Sequence, residues 1–432
     1  MKSAARRMLL LLALVGGILI WSALVFTDGG GENVVRVQPG FKRPFVSFNH
    51  STSTTSGTFL PVFKKHPLVE NTDCSPFFLF SIENPERVVL DSKEKFKADC
   101  DSIFSRHYFA QKPLSQEEAD FPIAIARVVY RDYYFLEQML ALQYSPQNSY
   151  CFALDKKADE DFKMSIRSLA SCFPNVYVPE TEYDIDNLGH NMNLAHWECV
   201  KEIRNVSWNY LHFMQNHDIP LRTNLETVRI LKIFNGSNDV EFGPFPKGER
   251  VSKDSSFTFE SLKLFKNETL NTNETLKLAK GGVQSAFSRA AIDFMLSELN
   301  VVNLLTELNK GGRCVDETFS ATIQTDPTIA LPGGSPRSCV DKGKKTGTFA
   351  KKAVWYNKKM CKSGNMRHSV CVFGVEDLPN VVTFPHAFLN KMLPEFDYLA
   401  FSCLAERIFR KAQMGELDLN ITVYENSTIG SC

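Results

Sequence analysis

The sequence has no excess charge, no internal repeat and no closely spaced pair of cysteines. Its 432 residues carry 49 Lys and Arg against 49 Asp and Glu, so no overall field favours binding to nucleic acid or to an anionic membrane. None of its 11 cysteines forms a Cys-x-x-Cys pair, which argues against a structural zinc site. Without repeats, this length allows one large domain or two ordinary ones.

Long apolar runs are also scarce, and residues 8–26 form the run that best fits a bilayer. Lys2, Arg6 and Arg7 precede this run, which contains no charged residue. At about 1.5 Å per residue it would reach roughly 28 Å, close to the thickness of a bilayer core. A cleaved signal peptide is the alternative, but its apolar region usually covers about 7–15 residues. We therefore predict a cytoplasmic tail at 1–7, a transmembrane signal-anchor at 8–26 and a lumenal body.

The cysteines and the glycosylation sequons agree with a lumenal body. All 11 cysteines follow the apolar run, and disulfides are the default in the oxidising secretory pathway. Because this number is odd, one thiol must be free or must pair with another chain, as in a disulfide-linked dimer. Asn-x-Ser/Thr sequons also follow the run, at Asn49, Asn205, Asn235, Asn267, Asn273, Asn420 and Asn426.

The composition and the hydrophobic pattern of the chain change twice after the apolar run. Residues 27–68 are rich in Gly, Ser, Thr and Lys, which predicts a flexible stem. Residues 69–120 contain Cys74 and Cys100, and we interpret them as a lead-in segment in which disulfides are expected. From Phe121 onward, buried-strand patterns alternate with apolar residues at helical spacing. The predicted strands are 121–130, 149–155, 175–178 and 208–214, and the predicted helices lie near 136–143, 162–169 and 192–204.

This alternation predicts an α/β fold in which helices flank a mainly parallel, twisted sheet, within a lumenal domain at 121–432. In such sheets ligands bind beyond the carboxyl ends of the strands, where Asp155 and Asp218 lie. Thr223 and Glu226 have the spacing of a capping box, so a helix should begin beside them. Apolar periodicity over 286–308 predicts one further amphipathic helix.

Two segments in the last third of the chain combine charged residues with distinctive neighbours. Asp316 and Glu317 precede Phe319, where a helix is expected to begin. The helix dipole stabilises acids at such a start, so capping alone would explain this pair. The second segment reads Met366-Arg367-His368-Ser369-Val370-Cys371-Val372-Phe373-Gly374, followed by Phe388-Leu389-Asn390-Lys391.

The order of these motifs behind a membrane segment resembles the core-2/I-branching β-1,6-N-acetylglucosaminyltransferases, which are inverting glycosyltransferases of the Golgi. The resemblance extends from about Cys74 to Arg410. It implies a GT-A-like fold and a single-pass type II protein of the Golgi membrane with a lumenal catalytic domain. It also implies transfer of N-acetylglucosamine from UDP-N-acetylglucosamine to the 6-hydroxyl of Gal or GalNAc on a glycan acceptor.

The resemblance assigns roles to residues of the catalytic step. Glu317 takes the place of the catalytic base, in a motif that shares its Asp, Glu, Ala and Thr with the family. Lys391 matches a Lys that holds the donor diphosphate, whereas Arg367 is offset by one residue from the corresponding Arg, with His368 in the aligned position. Because these cations replace a metal, no divalent metal or other cofactor is expected. Uridine is expected to bind at Val128 and Asp155.

Metal-dependent catalysis is the alternative, since many sugar-nucleotide enzymes hold a divalent metal with an Asp-x-Asp motif. This spacing occurs three times in the sequence. None of the three directly ends an apolar strand, and we therefore interpret them as surface acids. They are Asp99-Cys100-Asp101, Asp159-Glu160-Asp161 and Asp184-Ile185-Asp186.

The acceptor residues match the family less evenly. Glu241, Lys247 and Arg250 lie at the family's spacing for three residues that hold acceptor hydroxyls. Trp355 and Tyr356 correspond to an aromatic pair that flanks the acceptor, but here they are adjacent and the loop to the next cysteine is shorter. Core packing is the competing use of these aromatic side chains.

The resemblance also implies a disulfide pattern that the sequence alone does not determine. The implied pairs are Cys74–Cys403, Cys100–Cys172, Cys151–Cys199 and Cys361–Cys371. A further bridge between Cys314 and Cys339 is expected, which would leave Cys432 for pairing with another chain.

Two other functions stay open at this stage. One is a related transferase with a different donor, such as UDP-xylose. The other is a non-catalytic glycan-binding protein of the secretory pathway that retains the fold. The offset at His368 and the altered loop after Trp355 favour that alternative, whereas intact Glu317 and Lys391 argue against it.

Overall fold

The computed structural model describes residues 60–79, 82, 85–246, 248, 250–355, 359–427 and 429. The predicted tail, anchor and most of the stem lie outside these residues, as do Asn49, Lys247, Tyr356 and Cys432. The described residues belong to one unit, His50–Cys432. Within them, no helix combines the length and the apolar character needed to cross a membrane.

Strands and helices alternate along the described chain. The strands are β1 Ile123–Val129, β2 Ser149–Leu154, β3 Val176–Tyr177, β4 Tyr210–Gln215, β5 Asp218–Pro220, β6 Gly243–Pro244, β7 Ala279–Lys280, β8 Ser285–Ser288, β9 Lys351–Ala353, β10 Met366–Arg367, β11 Val370–Cys371 and β12 Phe388–Asn390. The helices are α1 Pro76–Leu79, α2 Cys100–Arg106, α3 Gln116–Ala119, α4 Tyr133–Gln143, α5 Glu160–Ser171, α6 Met192–Ile203, α7 Asn224–Phe234, α8 Phe259–Leu262, α9 Arg289–Glu298, α10 Val301–Leu308, α11 Phe319–Thr325, α12 Arg337–Asp341, α13 Leu378–Val381, α14 Pro394–Met414 and α15 Ile421–Glu425.

The main sheet has the strand order β3-β2-β1-β4-β8, and only β8 is antiparallel to its neighbour. All seven residues of β1 are buried, as expected for a parallel strand that is covered on both faces. Ile125 and Val129 pack in the core with residues of α4 and α14, whereas Ala126 and Val128 pack on the other face with residues of α6. The prediction of a mainly parallel sheet flanked by helices is confirmed.

Local signals in the sequence explain where several of these elements begin. The predicted strands overlap β1 to β4, and the predicted helices overlap α4, α5 and α6. The capping box is present: Thr223 Oγ1 accepts a hydrogen bond from Glu226 N at 3.1 Å, and a Glu226 carboxylate oxygen accepts one from Thr223 N at 2.9 Å.

The prediction of one helix over 286–308 is wrong. Ala286 and Phe287 belong to β8 and are fully buried against β4. Ser288 then caps α9 by accepting a hydrogen bond from Ala291 N at 3.3 Å. The extended backbone of Leu299 separates α9 from α10. Apolar periodicity did not reveal either break, because buried residues continue through both.

The four disulfides that the family resemblance implies are all present. The predicted bridge between Cys314 and Cys339 is wrong. Cys314 has a free thiol and lies directly before the turn that carries Glu317. Cys339 is disulfide-bonded elsewhere and is buried in α12 within a cluster that includes Phe242. Cys314 therefore lies beside the turn that carries Glu317, whereas Cys339 lies in a separate buried cluster, and the two do not pair.

A buried carboxylate joins the main sheet to the second sheet, which has the order β5-β12-β9. Asp218 is 0% exposed, and its carboxylate accepts hydrogen bonds from Gln215 N at 2.6 Å and from Asn390 Nδ2 at 2.7 Å. Gln284 Nε2 donates to both oxygens at 3.2 and 3.1 Å. Arg127 in β1 donates to the Asp218 carbonyl oxygen at 2.8 Å. These contacts fix the strand ends where ligands bind in such folds.

We expect Asp218→Ala to lower the free energy of unfolding by about 3 kcal/mol, because it leaves buried donors without their acceptor. Thermal unfolding followed by calorimetry measures the effect, with the exposed Asp254 changed to Ala as the matched control. Equal melting temperatures for Asp218→Ala and the control would contradict the importance of this carboxylate.

Candidate active site

Glu317 ends the 3₁₀ turn Val315–Glu317, directly before α11. Its carbonyl oxygen accepts a hydrogen bond from Gly281 N at 2.8 Å, which ties the turn to the segment between β7 and β8. A Cβ at Gly281 would lie 1.8 Å from the carbonyl oxygen of Glu241, so only glycine allows this approach. The packing thus brings Glu241 and Glu317 to the same segment.

Two cations surround the Glu317 carboxylate. Arg250 Nη1 donates to Glu317 Oε2 at 2.7 Å and to the Cys314 carbonyl oxygen at 3.1 Å. Lys280 Nζ lies 3.5 Å from the same carboxylate oxygen. The Glu317 side chain is only 19% exposed, so these contacts hold it in one orientation. Arg250, which the resemblance assigns to the acceptor, therefore contacts the predicted base directly.

The carboxyl group of Asp316 lies against the backbone of Gly189. A Cβ at Gly189 would lie 2.1 Å from Asp316 Oδ1, which shows how closely this backbone covers the carboxyl group. Burial raises the pKa of Asp316 to about 7, and the neighbouring charge of Glu317 contributes to the increase. Asp316 therefore holds its proton to a higher pH than an ordinary carboxyl group.

The predicted acceptor residues are described only in part. The half-buried Glu241 lies beside Lys351, since a Cβ at Gly282 would be 3.0 Å from Glu241 Oε2 and 3.5 Å from Lys351 Nζ. Trp355 is 50% exposed, so its ring is not part of the core. Its backbone forms an isolated antiparallel β-bridge with Val370. Lys247 and Tyr356 lie outside the described residues.

Arg367 and His368 differ in their positions on a tight hairpin. Arg367 ends β10 and pairs with Val370 at the start of β11, which leaves His368 and Ser369 as the two turn residues. Both turn residues have positive φ angles, of 52° and 65°, as a type I′ turn requires. The Arg367 guanidinium extends to Glu395, with Nη1 3.3 Å from Oε1.

His368 is the weaker candidate for binding a phosphate. Burial and the charges of Lys391 and Arg367 lower the pKa of His368, so its imidazole does not readily carry a charge. Arg367 is therefore the residue on this hairpin that fits the predicted diphosphate site.

Lys391 lies beside Arg367 in a strongly positive environment. It follows β12, and its neighbour Asn390 is held by Asp218. Burial lowers the pKa of Lys391, and the charges of Arg367, Lys351 and Arg131 lower it further, while Asp218 acts in the opposite direction. A charged lysine in such surroundings is stabilised by an anionic ligand.

Lys351 relates the two parts of the site. Its Nζ lies 3.5 Å from the Cβ position of Gly282, and the neighbouring Gly281 donates to the Glu317 carbonyl oxygen. Lys351 also belongs to β9, which pairs with β12 directly before Lys391, so it lies between the segments that carry the predicted base and one predicted diphosphate cation. Lys351 and Lys280 could not be identified from the sequence, because no spacing or periodicity distinguishes these two lysines from the other lysines of the chain.

The predicted uridine-binding residues lie at the ends of two neighbouring strands. Asp155 directly follows β2, and its Oδ1 accepts hydrogen bonds from Lys157 N at 3.0 Å and Ile185 N at 3.4 Å. Val128 belongs to β1, and its side chain is 3% exposed within the core. A ligand there would have to contact the edge of the sheet rather than the Val128 side chain.

The Asp-x-Asp segments have structural partners. Asp99 and Asp159 cap α2 and α5 by accepting hydrogen bonds from backbone N–H groups. Asp184 forms an ion pair with Lys157, and Asp186 Oδ2 lies 2.7 Å from His190 Nδ1. These contacts agree with their interpretation as surface acids.

The six described sequon asparagines are exposed: Asn205, Asn235, Asn267, Asn273, Asn420 and Asn426. Such positions are accessible to a glycosylating enzyme, and Asn49 lies outside the described residues.

Comparisons with known proteins identify relatives of this chain. A family model described as "Core-2/I-Branching enzyme" matches residues 123–382. A β-1,3-galactosyl-O-glycosyl-glycoprotein β-1,6-N-acetylglucosaminyltransferase from Bos taurus is 29% identical over 422 residues, covering 91% of this chain and 94% of the relative. One from Homo sapiens is 30% identical over 329 residues, with 73% and 76% covered. The solved mannosyltransferase Ktr4p from S. cerevisiae is 10% identical, with 57% of this chain and 81% of that chain covered, but a TM-score of 0.24 supports no inference.

The raised pKa of Asp316 predicts a pH-dependent stability. The folded state binds a proton at Asp316 up to a pKa of about 7, whereas the unfolded chain releases it near pH 4. The stability of the native chain should therefore decrease relative to Asp316→Asn as pH rises through this window. We expect the melting temperature of Asp316→Asn minus that of the native chain to increase from acid to neutral pH. A constant difference, as expected for the exposed control Asp254→Asn, would contradict the assignment.

Proposed function

This chain belongs to the core-2/I-branching enzyme family and is a glycosyltransferase, and we propose that it transfers N-acetylglucosamine from UDP-N-acetylglucosamine to a glycan. The proposed acceptor atom is the 6-hydroxyl of Gal or GalNAc, and the anomeric carbon is inverted. One observation carries this proposal: Lys351 connects the segment that holds Glu317 to the strand that precedes Lys391. Its Nζ lies 3.5 Å from the Cβ position of Gly282, whose neighbour Gly281 binds the Glu317 carbonyl oxygen, and its strand β9 pairs with β12 directly before Lys391. The names of the relatives, β-1,3-galactosyl-O-glycosyl-glycoprotein β-1,6-N-acetylglucosaminyltransferases, support the same transferred sugar, linkage and acceptor class.

Glu317 acts in this proposal as the general base. Its carboxylate accepts the proton of the 6-hydroxyl while the hydroxyl oxygen forms a bond to the anomeric carbon and the bond to UDP breaks. Arg250 and Lys280 orient the carboxylate, and the Arg250 contact with Cys314 ties that orientation to the backbone. A single in-line attack inverts the anomeric carbon.

Arg367 and Lys391 stabilise the departing UDP. Negative charge increases on the diphosphate as the glycosidic bond to it breaks, and cations already aimed at that position lower the barrier. Arginine offers paired donors to phosphate oxygens, and lysine offers a compact charge. We propose that these side chains take the place of a divalent metal, so that no metal or other cofactor is required.

The uridine and acceptor subsites are proposed at the residues that the family resemblance implies. Asp155 would hold the uridine or ribose at the end of β2, beside the end of β1 at Val128. Glu241 and Trp355 would contact the acceptor. Lys247 and Tyr356, which lie outside the described residues, would contact it as well. We further propose a GT-A-like fold and a single-pass type II location in the Golgi membrane, supported by the predicted anchor and the exposed sequons.

Glu317→Gln tests the assignment of the base. We expect the rate of transfer to decrease by at least about 10²-fold, because the amide cannot accept the proton. The dissociation constant of UDP should change little, because Glu317 contacts the acceptor hydroxyl and not the diphosphate. UDP release and calorimetric UDP binding measure the two effects, with the exposed Glu260→Gln as the matched control. Loss of UDP binding by Glu317→Gln would contradict its role as a base.

A comparison of donors tests the transferred sugar. With an acceptor that carries Gal β-1,3-linked to GalNAc, we expect faster turnover with UDP-N-acetylglucosamine than with UDP-xylose. Analysis of the product by NMR should show a β-1,6 linkage. Preference for UDP-xylose would instead favour the alternative of a related xylosyl-type transferase.

A further inference from the structure

A charged cluster beyond the carboxyl end of β1 has no part in the mechanism described above. It consists of Arg131 and Asp132 from the segment between β1 and α4, His217 from the turn between β4 and β5, and Glu395 at the start of α14. Ligands of parallel sheets bind beyond this edge. The cluster also contacts Arg367, one of the proposed diphosphate cations.

Arg131 lies between two carboxylates. Its Nη2 forms a direct ion pair with Glu395 Oε1, and its Nε is 3.2 Å from Asp132 Oδ2. The same Asp132 oxygen is 2.6 Å from His217 Nε2. The Asp132 side chain is almost fully buried, whereas that of Arg131 is 28% exposed. Arg131 is therefore paired with a buried carboxylate on one side and is partly open to solvent on another.

The backbone holds Arg131 in this position. Asn216 Oδ1 accepts hydrogen bonds from Tyr130 N at 2.8 Å and from Arg131 N at 3.4 Å. Asp132 has a φ of 64°, a left-handed conformation that aspartate tolerates better than most residues. The guanidinium also lies over the Tyr130 ring, 5.5 Å from its centroid.

Glu395 connects Arg131 to the proposed diphosphate site. Its Oε1 contacts Arg131 and also lies 3.3 Å from Arg367 Nη1. Its Oε2 is buried and has no hydrogen-bond partner among the described residues. Arg131 and Arg367 therefore meet at one carboxylate oxygen, and besides burial the charges of both lower the pKa of Lys391. Glu395 is thus one anion beside a group of three cations.

A metal site is the other use of these side chains. Asp132, His217 and Glu395 each offer one ligand atom, and these atoms lie within 4.8 Å of one another. The Arg131 guanidinium, however, already pairs with both carboxylates. The Arg131 guanidinium therefore already supplies the positive charge that a metal ion would supply between these carboxylates.

We propose that Arg131 is a third diphosphate-binding side chain, and that Glu395 is an internal anion which pairs with Arg131 and Arg367 until the donor diphosphate displaces it. This inference rests on the proposed function, because it assigns the diphosphate of that donor to this edge of the sheet. Arg131 follows β1, near the strand ends assigned to uridine, and it therefore links the nucleoside subsite to Arg367 and Lys391. Glu395 acts as a positioning residue that keeps two arginines together in the free enzyme.

Calorimetric binding of UDP, uridine and inorganic pyrophosphate to the full chain in detergent tests the proposal. We expect Arg131→Gln to weaken UDP and pyrophosphate binding about tenfold or more, because it removes a charge-assisted contact. Uridine binding should not change, and this readout also reports that the variant is folded. Arg131→Lys should retain more pyrophosphate affinity than Arg131→Gln. The exposed Arg410→Gln is the matched control and should leave all three affinities unchanged.

Glu395→Gln tests the displacement. We expect it to tighten binding of UDP and pyrophosphate but not of uridine, because the diphosphate no longer competes with a carboxylate. A purely structural role of Glu395 would instead weaken all three ligands.

The outcomes separate this inference from the proposed function. Unchanged UDP and pyrophosphate affinity in Arg131→Gln would overturn the role of Arg131, even if the enzyme transfers sugar as proposed. Arg131-dependent pyrophosphate binding without turnover of any UDP-sugar would support the phosphate site and contradict the proposed function. Mn²⁺ or Zn²⁺ binding by the native chain that Asp132→Asn abolishes would overturn the inference in favour of a metal site.

Discussion

The buried carboxylate of Asp218 joins the strands whose ends form the proposed donor site. It accepts hydrogen bonds from the end of β4, from Gln284 before β8 and from Asn390 in β12, while Arg127 in β1 binds its carbonyl oxygen. A fully buried carboxylate is stable only when several donors surround it, so each of these elements must be in place together. Lys391 follows Asn390 directly, and its position therefore depends on this contact.

The proposed site contains two kinds of electrostatic environment. On one side Arg250 and Lys280 orient the Glu317 carboxylate, and on the other side Arg367 and Lys391 form a positive region suited to a diphosphate. Lys351 lies beside Gly282 on the first side and belongs to the strand that pairs with β12 on the second. Such an arrangement matches the two requirements of inverting sugar transfer, since a proton must be accepted at one point and negative charge must be stabilised at another.

The sequence was most informative where local patterns and structure coincide. The apolar run of β1 and the capping box at Thr223 predicted their elements because each depends on neighbouring residues. Helical periodicity failed over 286–308, where β8 adds to the sheet edge through contacts that are distant in sequence. The different positions of Arg367 and His368 became visible only in the hairpin, where Arg367 pairs with Val370 and His368 is a turn residue. Lys280, Lys351, Arg131 and Glu395 come from separate segments, and only the fold brings them together.

UDP release by the native chain in the presence of EDTA tests the central claim, that side-chain cations replace a metal at the leaving group. With UDP-N-acetylglucosamine and an acceptor that carries Gal β-1,3-linked to GalNAc, the rate of acceptor-dependent UDP release should be the same with EDTA as with added Mn²⁺. If EDTA abolishes release and Mn²⁺ restores it, a metal stabilises the leaving group, and the roles given to Arg367 and Lys391 are wrong.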